Sequence, residues 1–268
     1  MDLLRNNMKN KNLKKFYDTV YKKGENKHYT PLLFSGDKIP PAKSEVLKEI
    51  AWKGKSVLDA GCGTGELAFL IAKKGARRVL GVDYSDDAIR SAEVSHRHPA
   101  LSFTKKEIGA IDEKFDIIVS LGTLEHMDDP FGALKKLKSL LKPKGSLIVT
   151  CPNWTNPRGY ILLVLKFLFD AKITLADIHY FTPLEFKEWA EKLKMKLSWR
   201  TIDHDWGSGE RLLKDFNRRI PNILLGNKRF ATNQKRIQRF IAWLEKHLSV
   251  IKDGNPQGGA VGLYHFKK

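Results

Sequence analysis

Apolar residues recur along this chain with two alternating periods. Residues 56–60, 77–82, 115–120 and 145–151 are short apolar runs rich in Val, Ile and Leu, the pattern of strands buried on both faces. Between them, 65–74, 86–97 and 130–141 space their apolar residues three and four apart, as helices with one buried face do. A shorter strand is predicted at 101–104. Strands alternating with helices predict a parallel sheet covered on both sides. Ahead of this core, Asn10 to Lys23 reads as a basic helix with Leu13, Phe16, Tyr17 and Val20 on one stripe. Gly24 ends it, a loop runs through Pro31, Pro40 and Pro41, and Ala42 to Trp52 reads as a second helix stopped by Gly54. Pro143-Lys144-Gly145 is a helix stop and turn before the strand that follows.

After Cys151 the pattern changes. Pro152 to Pro157 is loop-like, and Gly159 to Phe169 is apolar nearly all round, broken by Lys166. Such a helix is either buried or a lid over an apolar substrate or a membrane surface. Thr182-Pro183-Leu184-Glu185 starts a helix that runs to about Leu193, with Thr as N-cap, Pro at N1 and Glu at N3. A strand at 195–202, a basic helical stretch at 203–257 and a final strand at 259–266 complete the chain. Three units follow: a helical N-terminal cap at 1–50, a sheet domain at 51–202 with 258–268 (carrying a substrate-side lid at 152–182), and a basic insertion at 203–257.

The chemistry begins where the first strand ends. Val57-Leu58-Asp59-Ala60-Gly61-Cys62-Gly63-Thr64-Gly65 runs from a buried strand through an acid into three alternating glycines, and Glu66 opens a helix. This is a nucleotide-binding corner, in which glycine lets the chain turn sharply and a ligand approach the backbone. Dinucleotide folds space their glycines G-x-G-x-x-G; the spacing here is G-x-G-x-G. Asp59 would place negative charge beside a pyrophosphate, so it suits a cationic or zwitterionic ligand instead. A second strand ends at Asp83, about 20 residues on, where an acid can accept both ribose hydroxyls. Asp83 could alternatively cap the next helix, although Ser85 and Asp86 can do so themselves.

These residues resemble the first motifs of class I S-adenosylmethionine (SAM)-dependent methyltransferases. The resemblance covers 55–202 and 259–266. It implies a Rossmann-like, doubly wound α/β fold with a seven-stranded, mostly parallel sheet and an antiparallel last strand, plus the helical cap and insertions. It implies SAM as methyl donor, with Asp59, Gly61, Cys62, Gly63 and Gly65 around its methionine part. Asp83, with Tyr84 beside it, would hold the ribose. The backbone at Ser120-Leu121-Gly122 would meet the methionine end. Glu107-Ile108 stands where the family usually carries Asp plus an apolar residue against the adenine, so Glu for Asp is a departure. His126 matches the histidine of an L-E-H motif and could act as a base or fix its loop. His179, in an H-x-F-T-P sequence, is the first choice for a histidine facing the methyl group, and could instead order the helix entry. Tyr17, Tyr21 and Tyr29 are weaker candidates for an N-terminal segment closing over SAM. No metal ligand is assigned.

Composition leaves the acceptor open. The net charge is +18, with 13 basic and six acidic residues in 1–56 and 11 and six in 203–257, so the excess is spread along the chain. It favours acidic partners such as RNA or an anionic membrane surface, or is simply a solvated surface. Arg218-Arg219, Lys228-Arg229 and Lys235-Arg236 could meet headgroups or track a backbone, with Trp199, Trp206 and Phe230 as stacking platforms. Two cysteines, Cys62 and Cys151, make no disulfide framework, and Met1 to Lys15 lacks an apolar signal core; both fit a cytoplasmic protein, peripheral to a membrane at most. The expected function is methyl transfer from SAM to an O, N or C acceptor on a small or lipid-like molecule. An RNA methyltransferase, a non-catalytic SAM-binding protein and a nicotinamide dehydrogenase are the competing readings. Oligomeric state is left open.

Overall fold

The computed structural model describes residues 39–169, 171, 173–174, 177–204, 209–225 and 259–268, with isolated positions 235, 238–239 and 242. The helix predicted at 10–23, with Tyr17, Tyr21 and Tyr29, lies outside the described residues, as do Trp206, Phe230 and most of 226–258.

Helix α1 (Pro41–Glu49) leads into β1 (Ser56–Ala60), α2 (Glu66–Lys73), β2 (Arg78–Asp83), α3 (Asp86–Ser95), β3 (Leu101–Lys105), β4 (Phe115–Leu121), α4 (Pro130–Ser139) and β5 (Leu141–Pro152). Helices α5 (Pro157–Phe169) and α6 (Pro183–Lys192), strand β6 (Lys196–Ile202), helix α7 (Gly209–Leu225) and β7 (Val261–Lys267) follow. The seven strands form one sheet in the order β3-β2-β1-β4-β5-β7-β6. Strands β1 to β5 run parallel, and β7 is antiparallel to both of its neighbours. The chain reverses direction between β3 and β4, which flank the β2-β1 pair, so the carboxyl ends of β1 and β4 meet at the switch point where such sheets bind ligands.

Strand alternation sorts the apolar residues into two layers. Leu58, Ile118, Leu147, Val149 and Phe266 face α4 and α6, packing on Leu134, Leu137 and Phe186. Val57, Val79, Ile117, Val119, Ile148 and Leu263 face the other way, onto Val46 of α1 and Leu67, Ala68 and Ile71 of α2. Each fully buried Val, Leu or Ile contributes roughly 1.5–3 kcal/mol. Chain registry is therefore fixed by both faces at once.

Three expectations are corrected. Helix α1 stops at Glu49, short of Trp52, whose ring instead folds back so that Nε1 donates to the Leu47 carbonyl at 2.9 Å. Pro143-Lys144-Gly145 is not a turn ahead of the strand: β5 begins at Leu141, and those residues bulge out of it between the pairs Phe115↔Leu141 and Ile117↔Ser146, with Lys144 at φ 60°. Helix α5 is not buried all round, because Leu162 is buried while Tyr160 and Val164, one turn apart, are 58% and 51% exposed. The start of α6 matches its prediction fully: Thr182 and Glu185 form a reciprocal capping box, with Pro183 at the first turn.

A third apolar cluster lies outside the sheet layers. Trp154, Leu162, Ile173 and Tyr180 pack against Leu212, Phe216, Ile220 and Ile223. The 152–182 segment and the described part of 203–257 thus share one core and form one cap, distinct from the N-terminal cap predicted at 1–50. A buried ion cluster fastens them: Asp215 of α7, fully buried, accepts from Arg158 Nε of α5 at 2.9 Å and from Arg219 Nε at 3.1 Å, and Arg219 also donates to the Ile173 carbonyl at 2.6 Å. Burial alone would raise the Asp215 pKa, but the two guanidiniums outweigh it and hold the carboxyl at about 2. Arg219 is therefore committed to this cluster.

Candidate functional site

The loop after β1 is built by glycine conformation. Gly61, Gly63 and Gly65 have φ of +80°, +52° and +81°, a region side chains rarely adopt. At Gly61 a Cβ would also lie 2.6 Å from the Thr123 side chain, and at Gly65 2.4 Å from the Phe103 ring. Gly61 and Cys62 both donate their N–H to the Val82 carbonyl, at 2.9 and 3.0 Å, which pins the loop across the ends of β1 and β2. Gly65 then enters α2, whose first-turn N–H groups face the loop.

Asp59 and Asp83 flank this loop and differ in occupation. Asp83 is buried; its Oδ2 accepts from Gly63 N at 3.0 Å and its Oδ1 from Ser85 N at 2.9 Å. It does not cap α3. Ser85 does so, accepting from Ala88 N at 3.3 Å. Asp59 is 2% exposed and its Oδ2 has no hydrogen-bond partner among the described residues. Burial, joined by the charge of Asp83, pushes its carboxyl up to about 7, against the opposing effects of Lys43 and the Ala68 backbone N–H. An unsatisfied buried carboxylate oxygen costs stability until a donor reaches it. A ligand ammonium fits that requirement.

Lys43 is the residue that sequence reasoning missed. It stands on α1, sixteen residues before Asp59, where spacing gives no signal. The packing of α1 on α2 brings its Nζ to the Glu66 carboxylate at the start of α2 and close enough to Asp59 to favour its charge. A cation at this end of the loop suits a ligand carboxylate. Cys62 is a small loop residue with no reactive role: burial first, then the two nearby acids, pushes its thiol pKa far up.

On the next strand, Ser120 is buried and spends its hydroxyl on the Ala60 carbonyl at 3.0 Å. Leu121 is half-buried, and Gly122 turns the chain at φ +60°, its N–H donating to the Thr150 carbonyl at 2.9 Å. The backbone of 120–122 thus opens beside the glycine loop. Tyr84 is half-buried after β2. Glu107 is exposed, and Ile108 begins a short 3-10 turn and packs against the sheet core.

The two histidines are placed differently. His179 is half-buried, stacks on Phe181 at 5.3 Å, and its Nε2 lies 2.8 Å from the Met127 carbonyl, so that nitrogen carries the proton and donates. His126 closes the 3-10 turn Leu124–His126, its side chain 14% exposed, with Nε2 4.0 Å from Glu125 Oε1 and Nδ1 3.7 Å from Asp177 Oδ1. Trp199 packs in β6 under Lys187, 5.6 Å from ring centre to Nζ. Among the described residues, no group of three or more His, Cys, Asp or Glu side chains could hold a metal ion, and no helix is long and apolar enough to cross a membrane.

A family model described as a methyltransferase domain matches residues 52–214. The ubiquinone biosynthesis O-methyltransferase of Coxiella burnetii is 34% identical over 159 residues, covering 56% of this chain and 67% of its own length. That of Actinobacillus pleuropneumoniae is 32% identical over 157 residues, covering 53% of this chain and 66% of its own, so the chain spans about two thirds of such relatives. A solved SAM-dependent methyltransferase from Thermotoga maritima shares the fold with a TM-score of 0.57 at 16% identity, covering 96% of this chain and 99% of its own. With the sheet order, the three left-handed glycines and the paired acids, these matches place the chain in the class I SAM-dependent methyltransferase family.

Proposed function

We propose that this protein transfers a methyl group from SAM to an oxygen of a small, partly apolar acceptor. The observation that carries the donor assignment is the buried, unpartnered Oδ2 of Asp59 at the mouth of a loop that glycine alone can form. Asp59 holds the ammonium of SAM and Lys43 its carboxylate. Asp83, ordered by Gly63 and Ser85, meets the ribose. The backbone of Ser120, Leu121 and Gly122 lines the methionine end, with Tyr84, Glu107 and Ile108 on the nucleoside side. Bound SAM supplies a methyl on a sulfonium sulfur, which keeps the electron pair of the broken S–CH3 bond. The protein's work is to align the acceptor, exclude water and take a proton from it. His126 suits the last task. His179, committed as a donor to the Met127 carbonyl, orders the loop beside it.

The acceptor assignment follows the similarity to O-methyltransferases of ubiquinone biosynthesis. The apolar cap supports it, and exposed Tyr160 and Val164 suit an apolar acceptor met at an anionic lipid surface. An RNA acceptor is less well supported, because Arg219 and Trp199 are both used in packing. Calorimetric titration with SAM tests the donor site, with micromolar binding expected and absence of binding overturning it. Labelled-methyl transfer into lipid, small-molecule, RNA and protein fractions tests the acceptor; label confined to RNA or protein would overturn the small-molecule assignment.

A further inference from the structure

The chain that returns from the cap is riveted to the turn that carries His126. The backbone N–H groups of Ile178 and His179 both donate to the Glu125 carbonyl, at 2.9 and 3.2 Å, and His179 Nε2 donates to the Met127 carbonyl at 2.8 Å. These three bonds leave Asp177 little freedom and set its Oδ1 3.7 Å from His126 Nδ1. The Asp177 side chain is 17% exposed and that of Glu125, on the other side of the ring, 3%. Burial pushes the Glu125 carboxyl up to about 7, with Cys151 against it, so it is a weak counter-charge at neutral pH. Asp177 is also raised by burial, but His126 and the guanidiniums of Arg158 and Arg219 all oppose that rise. The charged groups around His126 are thus Glu125 and Asp177, and those around Asp177 are His126, the two cap arginines and Glu125, whose own carboxyl Asp177 raises further.

We propose that Asp177 is a positioning residue for His126: its carboxylate, 3.7 Å from Nδ1, favours a proton there and leaves Nε2, beside Glu125, as the basic nitrogen. This rests on the proposed oxygen acceptor. The acceptor hydroxyl gives its proton to Nε2, and the electron pair left on oxygen forms the bond to the incoming methyl. Asp177 balances the resulting imidazolium, which releases its proton to water. Because Asp177 belongs to the returning cap chain, and Arg158 and Arg219 to the cap's ion cluster, the base is complete only when the cap is docked.

The test reads His126 directly and needs no acceptor. Diethyl pyrocarbonate modifies neutral imidazole, and mass spectrometry of the full-length chain follows each histidine across pH 5.5–8. In D177N, His126 at pH 6 is expected to react at least threefold faster than in the native chain. His98, remote from the cluster, serves as the internal standard. D177E, which keeps the charge, is expected to stay near the native profile. A His126 profile identical in native and D177N chains overturns the proposal, as does a D177E profile that matches D177N. Transfer of labelled methyl to caffeate, a soluble catechol used as the oxygen acceptor, is expected to lose at least 30-fold in kcat in D177N with the SAM KM within twofold. Absence of transfer by the native chain to any acceptor would overturn the proposed function, while the histidine profiles still decide the Asp177–His126 pair.

Discussion

Asp59 and Asp116 stand on adjacent strands of one sheet and have opposite fates. Asp116, near the amino end of β4, accepts from Ser56 N at 2.8 Å, Ser56 Oγ at 2.6 Å and Lys142 Nζ at 3.1 Å. Partial burial opposes its charge, but these donors outweigh it and hold the carboxyl at about 2. Asp59, near the carboxyl end of β1, has one oxygen without a donor and sits at about 7. The same side chain is a finished clasp at one end of the sheet and an unfinished one at the other. The end left unfinished is where the glycines turn, where Gly122 turns, and where the cap comes down. One acid is closed off by its donors, and the other, fully buried, keeps an open oxygen beside the turns that glycine makes.

The comparison can be broken by substitution. The largest effect is expected in the cap, where a third acid is fully partnered. D215N leaves Arg158 and Arg219 buried without a counter-charge and should cost about 3–5 kcal/mol in urea unfolding. Next comes D59N, which should weaken SAM binding at least 100-fold by calorimetry while leaving the free protein as stable or more so at pH 8. The sign follows from the raised pKa. A carboxyl pushed from the usual range up to about 7 contributes stability present below pH 4 and lost as pH rises through 7, and the amide escapes that loss. A D59N protein that binds SAM normally would place the ligand elsewhere.

The same carboxyl predicts a pH effect without any mutation. SAM needs the ionised form, so affinity should fall about tenfold between a pH well above 7 and pH 6. Affinity flat over that range would show that Asp59 does not face the ammonium. The smallest effect is expected for D116N, about 1 kcal/mol of stability for a partly exposed group, with SAM affinity within twofold. Because the Asp116 pKa is lowered, its contribution is present above pH 4 and lost as pH falls towards 2, opposite to Asp59.

Much of this contrast is legible in the order of the amino acids. The buried strands, their order of appearance and the glycine loop follow from local pattern, since each is fixed by neighbours within a few residues. The capping box at Thr182 and Glu185 is equally local. What the pattern does not show is long-range. Lys43 reaches the loop through helix packing, and Asp177 meets His126 only because the returning cap chain hydrogen-bonds to Glu125. The bulge at Pro143 to Gly145 reads as a turn, since residue types that end a helix also tolerate a kink inside a strand. The all-apolar look of α5 conceals that Tyr160 and Val164 face outward, because a helix read without its partners does not reveal which stripe is covered. The lid and the insertion read as separate segments, and their common core is a contact between residues about fifty apart.

The place of β7 has a consequence for synthesis. This strand lies between β5 and β6, yet some sixty residues of chain separate the end of β6 from its start. On a ribosome adding about 5–20 residues per second, β5 and β6 wait roughly 3–12 seconds as two unpaired edges with no strand to join them. During that interval the half-made sheet offers a slot to any extended segment that fits, including β7 of a neighbouring nascent chain. Helix α7 of the cap is made in the same interval, so part of the segment that delays the last strand can also shield the gap it leaves.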